Sequence, residues 1–274
     1  MLELPEAVVL ARQLNGTMKG KRLAQVEAGH TRHGFAFYQG DPAGYPALLE
    51  GRTLDGAEQT GGLVELFFGE MRLTLGDGVN LRALAPGTPP PARHQLYLGF
   101  EDGSALYCTV QMYGQMMAFP AGSSENMYYL VTREKPSPLS DAFDQAYFDR
   151  LWAGVKPSLS LKAFLATEQR IPGLGNGCLQ DILLRGGLHP KRRLETVGEP
   201  ERAKLFLVLK ETLRGMAEQG GRNTEKDLFG QNGGYSCYLS AKTWKGVCPF
   251  CGGTITRQTY LGGNVYVCAH CQPS

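Results

Sequence analysis

The feature that most restricts how this chain can fold lies near its C-terminal end. Cys248-x2-Cys251 and Cys268-x2-Cys271 are two pairs with sixteen residues between them, the spacing of a four-cysteine zinc site. Each pair needs a tight knuckle, and Cys248-Pro249-Phe250-Cys251-Gly252-Gly253 supplies one. Thr254-Ile255-Thr256 and Val265-Tyr266-Val267 read as two strands around Leu261-Gly262-Gly263-Asn264, so a zinc ribbon is expected here. Four thiolates leave no open coordination position, which makes the Zn2+ structural. Cys108, Cys178 and Cys237 are scattered and read as core or part-buried thiols. Thiolates kept for a metal imply a reducing compartment.

The remainder is globular in composition, with 42% hydrophobic and 20% charged residues over 274 positions, long enough for more than one domain. No 18-residue apolar run exists, so no membrane span is expected. Met1-Leu2-Glu3-Leu4-Pro5-Glu6 is acidic and lacks the basic start of a signal peptide. A cytoplasmic protein is expected. The net charge of +2 hides an asymmetry. Residues 1–150 carry 12 Lys and Arg against 17 Asp and Glu, whereas residues 151–274 carry 16 against 9. A basic second half suggests a polyanionic partner held mainly there.

In chain order, Pro5 to about Met18 reads as a helix with Val8, Val9, Ala11 and Leu14 as its apolar stripe. From Lys21 to about Phe119 short strands are expected at Arg22–Ala28, Gly62–Phe68, Met71–Leu75, Gln95–Phe100 and Ala105–Val110. Phe68-Gly69, Gly76-Asp77-Gly78 and Asp102-Gly103 read as the turns between them. Such spacing argues for an antiparallel sandwich or barrel. His30 and His33 read as solvated loop histidines, with a substrate-facing role as the alternative. Helical periodicity resumes after the prolines of Arg133–Pro138, with helices expected at about 145–152, 159–169, 176–186, 199–219 and 224–229. The expected organisation is α+β and multidomain. It comprises an N-terminal helix and antiparallel β-sandwich (1–133), a linker (134–144), a helix-two-turn-helix domain (145–235) and a four-cysteine finger (236–274).

Between two of those helices stands Ile171-Pro172-Gly173-Leu174-Gly175-Asn176-Gly177. Its glycines allow close backbone approach, and Asn176 falls where an N-cap belongs. Free N–H groups at a helix start, with Lys162, Arg170 and Lys191-Arg192-Arg193 nearby, suit an anion such as a phosphate. An ordinary helix hairpin is the competing interpretation.

Glu3-Leu4-Pro5-Glu6, Gly173-Leu174-Gly175-Asn176, Gly187-Leu188-His189-Pro190, Glu218-Gln219-Gly220-Gly221 and the terminal cysteines stand together in one order over almost the whole chain. In this the sequence resembles the bacterial formamidopyrimidine-DNA glycosylase and endonuclease VIII family. The resemblance implies a monomeric, zinc-containing DNA repair enzyme of base-excision repair, with duplex DNA holding a damaged base or abasic site as its partner. It implies base flipping into a cleft between domains, catalytic roles for Glu3 and Glu6, and phosphate contacts from Lys162 and Asn176. Tyr113 is a candidate wedge for the space a flipped base leaves.

The family's nucleophile is the amine of an N-terminal proline, which forms a Schiff base with the sugar. Here position 2 is Leu2, Glu58-Gln59-Thr60-Gly61-Gly62 lacks the family's sandwich lysine, and Gly262-Gly263 replaces the finger arginine. A residue as large as Leu2 predicts that Met1 is retained, placing its amine about 3.8 Å, one Cα step, from the family's position. The expectation is a DNA N-glycosylase in which Glu3 activates water and Schiff-base (AP-lyase) chemistry is weak or absent. The alternative is a non-catalytic protein that binds lesions or unusual DNA structures.

Overall fold

The computed structural model describes residues 1–273. It opens with helix α1 (Leu4–Thr17), which has a proline in its first turn and a capping box between Glu3 and Glu6. This helix is buried on two faces. Ala7, Leu10, Ala11 and Leu14 enter one apolar core, while Leu4, with Val8 beside it, enters another. Each fully buried aliphatic side chain contributes roughly 1.5–3 kcal/mol. Helix α1 therefore holds the two halves of the molecule together.

The first core belongs to a seven-stranded sheet. Its strands are β1 (Leu23–Ala28), β2 (Ala36–Phe37), β3 (Gly56–Thr60), β4 (Leu63–Phe68), β5 (Met71–Leu84), β6 (Leu96–Phe100) and β7 (Ala105–Pro120). The short helix α2 (Tyr45–Leu49) lies between β2 and β3. The sheet order is β1-β6-β7-β5-β4-β3, with β2 added alongside β7. Strands β5 and β7 each run through both layers. Met71–Asp77 pairs with Gly114–Pro120, and Val79–Leu84 pairs with Ala105–Val110.

The break between these ladders is a bulge at Asp77-Gly78, opposite Gln111-Met112-Tyr113. Asp77 (φ 58°) and Met112 (φ 68°) are both left-handed there. Gly76-Asp77-Gly78, expected to end a strand, is thus where a longer strand bends from one layer to the other. Leu73 and Leu75 before the bend and Leu81, Leu106 and Cys108 beyond it share the same buried core. That shared core makes the sheet a sandwich.

Helix α3 (Met127–Glu134), not anticipated from the sequence, is capped by the Asn126 side chain. Residues 135–144 hold no helix or strand. The second core is helical, built from α4 (Gln145–Ala153), α5 (Leu161–Ala166), α6 (Asn176–Gly186) and α7 (Glu199–Glu218). Helix α5 is shorter than its periodicity suggested. Ser160 caps its start, and beyond Thr167 both Glu168 (φ 57°) and Gln169 (φ 47°) are left-handed, which ends it. No helix forms at 224–229. There the Asp227 carboxylate accepts from the N–H groups of Phe229 and Gln231 and makes a turn instead. The chain closes with a hairpin, β8 (Ile255–Tyr260) and β9 (Gly263–Cys268). No helix among the described residues is long and apolar enough to cross a membrane.

Candidate active site and nucleic-acid interface

Between the sandwich, α6 and the terminal hairpin lies a cleft of about 490 Å³. Met1, Leu2, Glu3, Asp77, Tyr113, Lys162, Asn176 and the hairpin turn Leu261–Asn264 all line it. Of the sequence-predicted site residues outside the cysteines, Glu6 alone is set back from the cleft wall, directly behind Glu3.

Glu3 is 4% exposed, and both its carboxylate oxygens are engaged. Oε2 accepts from the N–H groups of Gly175 (3.1 Å) and Cys178 (2.9 Å). Oε1 accepts from Gly177 N (2.8 Å) and from Arg222 Nη1 (3.3 Å). The N-terminus of α6 is thus satisfied by a carboxylate far away in sequence, where the helix dipole favours negative charge. Asn176 is consequently not the N-cap; Gly175 holds that position and Asn176 is the first helical residue. The glycines are required for this approach. A Cβ at Gly177 would lie 1.5 Å from Arg222 Nη1, and one at Gly175 would lie 2.6 Å from the Glu3 carboxyl carbon. Burial alone would raise the Glu3 carboxyl, but Arg222 and the Cys178 and Gly177 donors outweigh it and hold it below the ordinary glutamate value. Glu3 is therefore an anion with its acceptor positions filled.

Arg222, which the sequence reading missed, organises this corner. It is 2% exposed. Its Nε and Nη2 meet Glu6 Oε1 and Oε2 at 3.0 and 2.7 Å, and Nη2 also reaches Met1 O at 3.2 Å. Its position directly after Gly220-Gly221, in a motif already singled out, was the available signal. The Met1 amine pairs with Glu225 at 2.6 Å, and Leu2 N–H donates to the Asp77 main-chain oxygen at 2.7 Å. The Asp77 carboxylate has no hydrogen-bond partner among the described residues, and burial raises it above the ordinary aspartate value.

On the opposite wall, the Lys162 ammonium donates to Tyr260 O, and Asn176 Nδ2 donates to Asn264 O at 2.9 Å. Both acceptors flank the hairpin turn, and a Cβ at Gly263 would lie 3.4 Å from Asn176 Nδ2 and 3.5 Å from Lys162 Nζ. Burial lowers the Lys162 ammonium below the usual lysine value. Gln180 anchors the hairpin to α6, donating to Asn264 O and accepting from Tyr266 N. Tyr113 is 43% exposed and sits on the bulge beside the more exposed Met112. At the base of the hairpin the four thiols of Cys248, Cys251, Cys268 and Cys271 all lie within 4.8 Å of one another. Cys248 to Cys271 spans 3.7 Å and Cys251 to Cys268 spans 3.5 Å. Tetrahedral zinc at its usual thiolate distance places sulfurs about 3.8 Å apart, so the cluster fits a metal ion.

Fold and site define a class: proteins in which a β-sandwich and a helical body share a cleft, with an N-terminal carboxylate in its wall and a four-cysteine hairpin over its rim. The formamidopyrimidine-DNA glycosylase of Methylococcus capsulatus is 30% identical to this chain, covering 99% of it and 100% of that protein. The one from Brevibacillus brevis is 27% identical over 99% of both. Among solved structures, the MutM (Fpg) protein of Thermus thermophilus superposes with a TM-score of 0.82 at 25% identity, covering 98% of each chain. The fold also matches Lactococcus lactis Fpg, solved with abasic-site DNA, with a TM-score of 0.83 at 21% identity over 99% of this chain and 100% of that one. No family model matches the chain. The chain belongs to the formamidopyrimidine-DNA glycosylase family.

Proposed function

We propose that this protein is a DNA glycosylase that removes damaged bases from duplex DNA by hydrolysis, without a covalent imine. The observation that carries this reading is the shared cleft, with a fixed carboxylate anion at Glu3 on one wall and the donors Lys162 and Asn176 on the other. As the bond to the base breaks, positive charge develops on the sugar. A preorganised anion stabilises it without reorganisation. Glu6 acts through Arg222 to hold Glu3 in place.

With the acceptor positions of Glu3 filled, Asp77 is the cleft carboxylate suited to take a proton from the attacking water. The water oxygen bonds to C1′, the bond to the base nitrogen breaks, and the base leaves with a proton from solvent. Leu2 stands where the family has its proline, its N–H bound to Asp77 O, and Met1 is drawn toward Glu225. These contacts support hydrolysis over Schiff-base chemistry.

Phosphates of bound DNA would exchange with the Tyr260 and Asn264 carbonyls now held by Lys162 and Asn176, and Tyr113 would occupy the gap left by the flipped base. The four-cysteine cluster holds zinc in a purely structural role, and as a repair protein of bacterial type the chain works in the cytoplasm, at the nucleoid.

The test is base release from duplexes carrying oxidised purines or pyrimidines, with borohydride present in a parallel reaction. Release without a trapped adduct is expected, and Glu3→Gln should lower kcat by about 100-fold or more. A trapped adduct would refute hydrolysis. Tight binding to damaged duplexes with no base release from any of them would refute catalysis and leave a lesion-binding protein.

A further inference from the structure

Three side chains that take no part in the cleft converge on the sandwich face made by β1 and β6. Glu27 lies in β1, His30 two residues beyond its end, and His94 just before β6. Their ligand-type atoms all lie within 4.8 Å of one another. The imidazoles of His30 and His94 stack face to face, 4.1 Å apart and 8° from parallel.

His94 shows what this cluster lacks. It is 2% exposed. Its Nδ1 lies 2.8 Å from Pro91 O. A carbonyl only accepts, so Nδ1 carries the proton and the neutral ring presents a lone pair at Nε2. That atom is buried and has no hydrogen-bond partner. The group facing it is Glu27 Oε2 at 3.7 Å, another electron-rich atom. At 3.7 Å the two atoms are too far apart for a hydrogen bond. The other Glu27 oxygen lies 2.7 Å from His30 Nδ1.

A buried nitrogen lone pair aimed at a carboxylate, on a histidine whose other nitrogen donates to a backbone carbonyl, is the arrangement of a metal-ligating imidazole. We propose that Glu27, His30 and His94 form a second metal site, distinct from the four-cysteine cluster, for a divalent ion of the zinc class. Two imidazoles and one carboxylate are the donors such borderline ions take. Donors around tetrahedral zinc lie about 3.3 Å apart, so the cluster must contract by about 1.5 Å at its widest. His30 is 39% exposed on a loop and Glu27 44% exposed, so both are free to make that movement, while His94 is already fixed. Water completes the coordination. The ion would tie the loop after β1 to the start of β6. That loop leads to Phe35, whose carbonyl accepts from Gly114 N beside Tyr113.

The test is a Zn2+ titration of the full-length protein, its four-cysteine site already loaded, read by calorimetry and by metal content after dialysis at micromolar free zinc. Wild type should bind a second equivalent. His30→Ala and Glu27→Gln, both at exposed positions and therefore expected to fold, should weaken that equivalent by about 100-fold and leave the first in place. His33→Ala, whose ring is outside the cluster, should bind two. A single equivalent in wild type, or a second that survives His30→Ala, would overturn the proposal.

Discussion

Replacing Arg222 by methionine keeps the length of the side chain and removes the one guanidinium serving Glu3, Glu6 and the Met1 carbonyl. Glu3 retains three backbone donors from α6. Glu6 keeps only the N–H groups of Glu3 and Arg222, at 3.3 and 3.1 Å. Leaving a buried charge without its partner costs about 3–5 kcal/mol. Protonation sets a ceiling, because neutralising one glutamate of ordinary acidity at neutral pH costs about 3.5 kcal/mol. The expected loss is therefore about 3–3.5 kcal/mol at pH 7, or roughly a 10 °C fall in Tm for a chain of this size.

The sign of the pH dependence follows from Glu3. Its carboxyl is depressed in the folded protein. Its contribution in wild type is therefore present above the unfolded pKa and lost as pH falls through the folded one. In the variant the proton is cheaper to add as pH falls, by about 1.4 kcal/mol per unit, so the deficit should shrink to about 1 kcal/mol near pH 5. Urea unfolding followed by the fluorescence of Trp152, packed on Phe148 and Phe164 in the helical core, measures both values. Adding Glu6→Gln to the variant should recover part of the loss. A loss under about 1 kcal/mol at neutral pH, or one equal at both pH values, would refute the assignment of a buried ionic cluster.

Other expectations follow from the same geometry. Gly177→Ala gains about 1 kcal/mol of helix propensity but drives a methyl into Arg222, so a net loss of about 2 kcal/mol in urea unfolding is expected. Cys268→Ala should lose the structural metal and melt the terminal hairpin, seen as loss of zinc and a change in fluorescence of Trp244, which stacks on Tyr266. Lys162→Ala should weaken duplex binding about equally across sequences and lower the slope of log K against log salt by about 0.9. Asn176→Ala should weaken it without changing that slope, as measured by fluorescence anisotropy over a salt series.

Local patterns made some of this architecture readable from the sequence. Paired cysteines announce their hairpin, and helical spacing of leucines places α6 and α7 within a residue or two. Helix α3 escaped notice because Met127 and Tyr128 are exposed and only Tyr129 and Thr132 are buried, which leaves no apolar stripe to detect. Gly76-Asp77-Gly78 has the composition of a turn; only the strand paired opposite shows that it is a bulge. Asn176 has the propensity of a cap, and a carboxylate from the other end of the chain takes the role. Arg222 looks like any surface arginine until its two partners arrive from 216 and 219 positions away. What stayed hidden was long-range pairing of charge, which leaves no periodicity. The Glu27, His30 and His94 cluster was hidden for the same reason, because its third member lies 64 positions beyond His30, just before β6.

Helix α1 carries a consequence for synthesis on the ribosome. It is made before the other elements described, yet Leu4 packs among helices that emerge much later, and Glu6 waits for Arg222, 216 residues on. The sandwich strands can close on Ala7, Leu10 and Leu14 before the helical part of the chain has been made, which leaves the other face of α1 an apolar surface open to solvent or to a chaperone. Nascent chains stalled before residue 222 should therefore display that face, and their proteolysis should cut near α1 until the arginine has been released.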